Sequence, residues 1–363
     1  MKQEIIDEKT RELEALLIAH KGERHLIAMQ DFPDPDSISC AFAYQLIAQK
    51  YAIDTEIFYC GRVSHQENIA LIHLLDINLV RWQEEYLSGE RFQGAVFVDT
   101  QGTTSHLSQL VAAAGIPVFA IIDHHEMQEM AQEPLFLDMR SCEACASIFV
   151  HYIASGILTL QPSNPIHHKL ATALMHGIVS DTGSMTRATQ FDFIQAAFLQ
   201  PLCDVDLLIE IRHQQRSHKV MEVIRKALAS REAREGLSLS GVGFIRAEER
   251  DAIPQAADFL LTEENVHTVV VYGVVTDAQK GDVIHGSLRT VKLTFGPDAF
   301  LKEALGRDAN GEYYGGGKAM SGGFEIPLDF LSGADDPELM RLKWEAYNSK
   351  IRQKFFTRIG VEH

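Results

Sequence analysis

Three ionisable residues in a row, Asp123-His124-His125, end the apolar run Val118-Phe119-Ala120-Ile121-Ile122. A β-branched run that stops in this way reads as a buried parallel strand delivering side chains to the carboxyl edge of a sheet. That edge is where open α/β sheets place their ligands. The same grammar recurs at Val96-Phe97-Val98-Asp99-Thr100, and where Ile27-Ala28-Met29 runs into Asp31, Asp34 and Asp36. Asp181, after His176-Gly177-Ile178-Val179-Ser180, reads as a fourth such strand end. Asp34 and Asp36 can share one loop concavity, Asp99 can bridge two ions, His124 adds a nitrogen and Asp181 closes the set. Mixed carboxylate and imidazole ligands suit Mn²⁺ or Mg²⁺ better than a thiolate zinc site. Two such ions roughly 3.5–4 Å apart clamp the attacking and leaving oxygens of phosphoryl transfer and acidify the water between them. Each Asp alone is as well read as a turn residue or helix cap, so the metal reading rests on the four together.

The elements that must position these residues alternate along the first 205 positions, as in a parallel, helix-covered sheet. Strands are predicted at His25–Met29, Thr55–Tyr59, Ala95–Val98 and Val118–Ile122, with helices at Ser37–Lys50, Gln66–Leu75 and Cys142–Ala154. The charged, glycine-free stretch 206–235 predicts one long helix connecting two domains. Short alternating strands follow at Leu237–Leu239, Val242–Phe244, Thr268–Val275 and Ile284–Thr290. The fold class is therefore α/β, with a catalytic domain at 1–205, a connecting helix at 206–235, a smaller α/β domain at 236–345 and a C-terminal helix or tail at 346–363.

Bulk properties narrow the function classes. A chain of 363 residues, 46% apolar and 23% charged, is long enough for two cores. Its longest apolar stretch, Leu110–Ile122, is interrupted by Gly115 and Pro117, and its acidic amphipathic start carries no secretory pattern. Five cysteines predict a reducing, cytoplasmic setting. The formal charge of −17 argues against a grip on long nucleic acid, while leaving room for a short phosphorylated substrate held by local cations. No membrane partner is expected, and a homodimer stays open.

Pro33-Asp34-Pro35-Asp36-Ser37, Val98-Asp99-Thr100, Asp123-His124-His125 and Ser180-Asp181-Thr182-Gly183 resemble the four successive motifs of the DHH phosphoesterase superfamily. Ser287-Leu288-Arg289 and Gly315-Gly316-Gly317-Lys318-Ala319-Met320-Ser321-Gly322-Gly323 resemble the substrate-binding DHHA1 domain of the same proteins. The nearest subgroup is the oligoribonuclease and pAp phosphatase type, with exopolyphosphatase-related relatives. The resemblance implies Asp34 and Asp99 on one metal, and Asp36, Asp99, His124 and Asp181 on the other. It implies Asp123 as the orienting partner of a ligand histidine, and His125 as a donor facing the scissile phosphate. Two positions depart from the family pattern. Gln30 stands where a histidine is usual, which weakens the first metal position, and Asp31 is a candidate substitute ligand. Lys318 replaces a histidine, keeping a cation but losing a planar, titratable donor.

The glycines at Gly315, Gly316 and Gly317 let successive amides converge on an anion, and with Ser321 and Arg289 they read as a phosphate cradle. Arg187 can reach the same cleft or lie solvated on a helix. Cys142-x-x-Cys145 has no second pair and reads as small buried helix residues. The expected function is a metal-dependent phosphohydrolase acting on pAp, dinucleotides or short RNA fragments, completed by domain closure. The alternatives are a pyrophosphatase or exopolyphosphatase, and a nucleotide-binding regulator without turnover, given Gln30 and Lys318.

Overall fold

The computed structural model describes residues 7–63, 65–83, 91–103, 105–128, 130, 132–276, 281–318, 320–333 and 336–361; Ala319, Ala334 and Asp335 lie outside them. The chain forms two compact units, Met1–Gln215 and Arg216–His363.

The first unit holds β1 (Arg24–Ala28), β2 (Asp54–Tyr59), β3 (Leu79–Arg81), β4 (Gly94–Val98), β5 (Val118–Asp123) and β6 (Phe136–Met139). All pair in parallel, in the order β3-β2-β1-β4-β5-β6. Around them lie α1 (Glu8–Ala19), α2 (Pro35–Lys50), α3 (Gln66–Leu75), α4 (His106–Ala113), α5 (Cys145–Ala154), α6 (Pro165–Asp181), α7 (Gln190–Leu199) and α8 (Val205–Arg212). Strand alternation splits the apolar residues between two cores. Ile27, Val96, Val98, Ala120 and Ile122 join α2, α5 and α6 on one face. Leu26, Ala28, Ala95, Phe97 and Ile121 meet Leu107 and Val111 of α4 on the other. Burial on both faces is why β4 and β5 read as continuous apolar runs. Between β1 and β4 the strand order reverses, and the crevice beyond their carboxyl ends is the standard ligand position of such sheets.

Asp181 corrects the sequence reading, because it is the last residue of α6 and not a strand end. The run His176–Ser180 is the final part of a 17-residue helix opened by the Asn164 cap and Pro165. Residues 170–178 are buried on every side because the helix packs against both α2 and α5. The short strands β3 and β6 had no sequence signal, and α5 begins at Cys145 rather than Cys142.

The expected connecting helix is two helices. α8 ends at Arg212, and α9 (His218–Ser230) begins after the Ser217 side chain accepts the Val220 amide. Their apolar faces serve different cores: Ile211 joins the first unit, whereas Val220, Val223, Ile224 and Ala227 belong to the second.

The second unit contains β7 (Glu232–Arg234), β8 (Leu237–Arg246), β9 (Thr268–Thr276), β10 (Val283–Thr290), β11 (Gly315–Gly317) and β12 (Ser321–Pro327), ordered β11-β12-β10-β9-β8-β7. The two strands expected at 237–244 are one, β8, bent by an irregularity between Gly241 and Phe244 where Gly243 has φ +76°. α9 and α10 (Ala252–Leu260) cover one face, while α11 (Pro297–Leu305) and α12 (Pro337–Arg358) cover the other. α12 starts before the expected 346 and buries Ile351, Phe355 and Phe356 in the core. No helix among the described residues is long and apolar enough to cross a membrane.

The triple glycine is not a free loop. It forms edge strand β11, antiparallel to β12, with Gly317 opposite Gly322. A Cβ on Gly322 would stand 2.6 Å from Leu301 Cδ1 and 2.9 Å from the Gly316 carbonyl oxygen. Close approach of hairpin to helix therefore demands the glycine. Gly322→Ala should cost about 1–3 kcal/mol, seen as a lower urea midpoint; a parental midpoint would mean the hairpin tolerates the methyl.

Candidate metal centre

The loop after β1 carries Asp34 and Asp36 into the first turn of α2. Asp34 caps that helix, with Oδ1 accepting the Ser37 amide at 2.9 Å. Asp36 is fully buried and reaches across to α5, where Oδ2 accepts the Cys145 amide at 2.6 Å and Oδ1 the Ala146 amide at 2.8 Å. One carboxylate thus closes the amino end of a neighbouring helix, as the helix dipole favours. Gly177 makes room for it, because a Cβ there would lie 3.1 Å from Asp36 Oδ1 and 2.4 Å from Ser39 Oγ.

Asp99 follows β4 and is 3% exposed. Its φ of +55° is left-handed, a strained conformation that β-strand ends hold where function requires a re-aimed side chain. His124 follows β5 and donates through Nδ1 to the Cys142 carbonyl at 3.0 Å. That bond places the imidazole proton on Nδ1 and leaves Nε2 with its lone pair. Nε2 faces Asp99 Oδ1 at 3.4 Å and Asp181 Oδ2 at 3.5 Å. Both Nε2 and Asp99 Oδ1 are buried without a hydrogen-bond partner. Asp36, His124 and Asp181 form one group whose ligand atoms lie within 4.8 Å, and Asp99, Asp123, His124 and His125 form another. Oxygen and imidazole donors gathered around two partnerless buried atoms fit a divalent cation.

The electrostatics agree. Burial, then the charge of Asp34, raises Asp36 to about 7 against the pull of His124. Burial with Asp36 and Asp34 lifts Asp181 to about 8, and burial with Asp34 and Asp36 carries Asp99 well above the usual carboxylate range. Burial opposes charge on His124, yet Asp99 and Asp36 bring it up to about 10. Protons hold the place that a cation would take.

Asp123 orients the other histidine. Its Oδ1 accepts from His125 Nδ1 at 2.7 Å, and Gln101 Nε2 donates to Oδ2 at 3.0 Å. Burial resists the ionised form, but these bonds hold Asp123 below its ordinary range. His125 is half exposed and offers its remaining nitrogen outward. Gln30 donates Nε2 to Asp34 Oδ2 at 2.9 Å, so its amide braces a carboxylate rather than presenting an oxygen. Asp31 is turned away, accepting the His106 amide at 3.1 Å and the His106 ring at the start of α4. That corrects its reading as a substitute ligand. Arg187 donates to the Asp181 carbonyl and lies 3.5 Å from Glu143, exposed beside the cluster.

In the second unit, Arg289 stands opposite Ser321 across β10 and β12, and the Lys318 amide donates to Ser321 O at 2.7 Å. The Arg289 guanidinium is engaged by Asp258 at 2.8 Å and Ser287 at 2.9 Å. Of the glycine amides, that of Gly317 goes to Asp298 at 3.2 Å. Among the described residues, pairing with β12 and the Asp298 carboxylate thus take up part of the expected cradle.

Two contributors escaped the sequence reading. Gln101 also takes the Gln128 amide at 2.8 Å and so fixes the loop after the histidines. The Cys142 carbonyl sets the His124 tautomer, a backbone role that no side-chain pattern announces.

Residues 25–178 match the DHH family, N-terminal domain. An uncharacterized protein of Methanocaldococcus jannaschii is 34% identical over 333 residues, 91% of this chain and 63% of that protein, so the chain spans less than two thirds of its relative. An exopolyphosphatase-related protein from Bacteroides fragilis has the same fold at 14% identity, with a TM-score of 0.66 over 97% of this chain and 99% of that one.

The raised carboxylates give stability a direction with pH. Asp36 and Asp181 keep protons that an unfolded chain releases near pH 4, so their contribution is lost as pH rises through about 7 and 8. His124 acts in the same sense, losing its contribution as pH climbs through about 10. Metal-free protein should melt lower at about pH 8 than at about pH 5.5, and Mn²⁺ should raise Tm more at the higher pH. Scanning calorimetry with and without Mn²⁺ measures this; equal stabilisation at both pH values would mean the ion does not exchange with these protons.

Proposed function

For a chain that belongs to the DHH family through its residues 25–178, we propose a metal-dependent phosphoesterase acting on short phosphorylated nucleotides. The observation that carries the reading is the pair of partnerless buried atoms, Asp99 Oδ1 and His124 Nε2, facing each other among carboxylates. Asp36, Asp99, His124 and Asp181 would hold Mn²⁺ or Mg²⁺, with Asp34 beside a second ion. Such ions supply an acidified water and positive charge for the phosphoryl oxygens. His125, held through Nδ1 by the ionised Asp123, would donate from its outward nitrogen to the phosphate or the leaving oxygen. Gln101 keeps Asp123 from turning away.

The formal charge of −17 supports a short substrate, because a long polyanion meets net repulsion over many phosphates. Within the second unit, Arg289, Ser321 and Lys318 are the proposed phosphate-binding residues, with Arg289 exchanging Asp258 for an anion. A panel of pAp, dinucleotides, cyclic dinucleotides, 5-mer RNA, pyrophosphate and polyphosphate with Mn²⁺ and Mg²⁺ separates this reading from a pyrophosphatase or polyphosphatase. Turnover of none of them would favour a binding protein.

Asp99→Asn is the direct test of the centre. Asparagine tolerates the left-handed backbone that alanine would strain, so folding is kept while the charge is removed. Hydrolysis should fall by roughly 100-fold or more, with parental circular dichroism. A kcat/KM within about threefold of the parent would remove Asp99 from the centre.

A further inference from the structure

We propose that the first unit carries an anion subsite beside the metal centre, formed by the amino end of α3 with His65, His176 and Arg212. Its ligand is a phosphate group that is not the one being cleaved. This role rests on the phosphoesterase reading; the existence of the site does not.

Helix α3 opens with His65 as N-cap, and that side chain makes no capping hydrogen bond. Among the described residues, no side chain caps the first turn, so its amides and the positive end of the helix face outward toward an anion. His176, on α6, supplies an independent sign of a ligand. It is 1% exposed, yet neither ring nitrogen has a hydrogen-bond partner. A buried imidazole left in that state costs free energy that a bound group recovers. Its helix, α6, packs against both α3 and α8, which also pack on each other. The charges acting on it come from Arg212 and His65, and with burial they bring its pKa down to about 4. A neutral ring here keeps one N–H to donate.

The neighbouring contacts place these groups at the metal cluster. Asn68, in the first turn of α3, donates to the Pro33 carbonyl at 3.0 Å, the residue before Asp34. Arg212 uses one donor on Ser184 Oγ at 3.1 Å, leaving the rest of its fork for an anion. Ser184 belongs to a run of three left-handed residues, Gly183, Ser184 and Met185, with φ of +59°, +57° and +67°, directly after Asp181 and Thr182. Backbone strain of that kind collects where a loop must present groups to a ligand. Glu67 in the same turn is the opposing charge. Arg212 supplies the balancing positive charge, and His176 supplies a neutral donor.

The chemistry selected is a compact anion able to accept from backbone amides, an imidazole and a guanidinium together, which a phosphate monoester does. A substrate with two phosphates would thus put one at the metals and the other here.

The test is isothermal titration of inorganic phosphate into the full chain stripped of metal, where the acidic cluster itself repels the ligand. Saturable binding is expected, weakened about tenfold or more by Arg212→Gln, an exposed substitution, and by His176→Phe. Absence of saturable binding by the parent overturns the site. Parental affinity in both variants overturns it too, and loss with Arg212→Gln alone reduces it to a surface cation and overturns the buried subsite. A chain that binds phosphate as described yet hydrolyses nothing in the panel refutes only the phosphoesterase reading. One that hydrolyses but binds no phosphate without metal refutes only the subsite.

Discussion

Buried negative charge around one imidazole is the constraint on which the rest of the first unit depends. Asp36 and Asp99 are buried, Asp181 is half-buried, and Asp34 adds its field to all three. Like charges in a poorly solvated site repel strongly, so each must be neutralised or bonded. The sheet and helices supply part of this through backbone amides: α2 gives Asp34 the Ser37 amide, and α5 gives Asp36 two of its own. Those bonds fix where α5 begins, and the space they need fixes glycine at position 177. What the backbone leaves uncompensated falls on Asp99 and Asp181, the two carboxylates facing His124 Nε2.

Two adjacent histidines directly after one strand differ in what their ring nitrogens bond. His124 turns inward, and its Nδ1 proton is committed to a carbonyl, so a lone pair is forced into the acidic cluster. His125 is the more exposed ring, and its Nδ1 is tied to the Asp123 carboxylate, which fixes the ring's orientation. Both follow β5 directly, His124 nearly buried with Nε2 facing Asp99 and Asp181, and His125 more exposed. A single histidine could not hold a cation and deliver a proton at once.

Much of this was legible in the sequence for a physical reason. A strand buried on both faces is a continuous apolar run, so the first charged residue after it marks the sheet edge; Asp99, Asp123 and His124 were found that way. Asp181 was grouped correctly but on the wrong element, since a helix packed on all sides loses the 3.6-residue pattern that would identify it. The break between α8 and α9 contains neither glycine nor proline, and only Ser217 marked it. The glycines of β11 and β12 read as a phosphate cradle because steric demand from Leu301 and Phe324 is a property of the folded hairpin. His176 gave no signal, since a missing partner cannot be read from residue order.

The same accounting ranks the two proposed metal positions. Asp34 already accepts a backbone amide on Oδ1 and the Gln30 amide on Oδ2, so each oxygen has only one further lone pair to offer. Gln30 adds neutral donors where an imidazole would have added a ligand. An ion beside Asp34 would thus be held by carboxylate oxygens already weakened as acceptors, with Asp99 shared. The position between Asp36, Asp99, His124 and Asp181 has the partnerless nitrogen and the partnerless oxygen. Occupation should therefore proceed in order, with the His124 position filling first. The Asp34 position would fill where a phosphate oxygen completes its ligand set, so that substrate and second ion enter together.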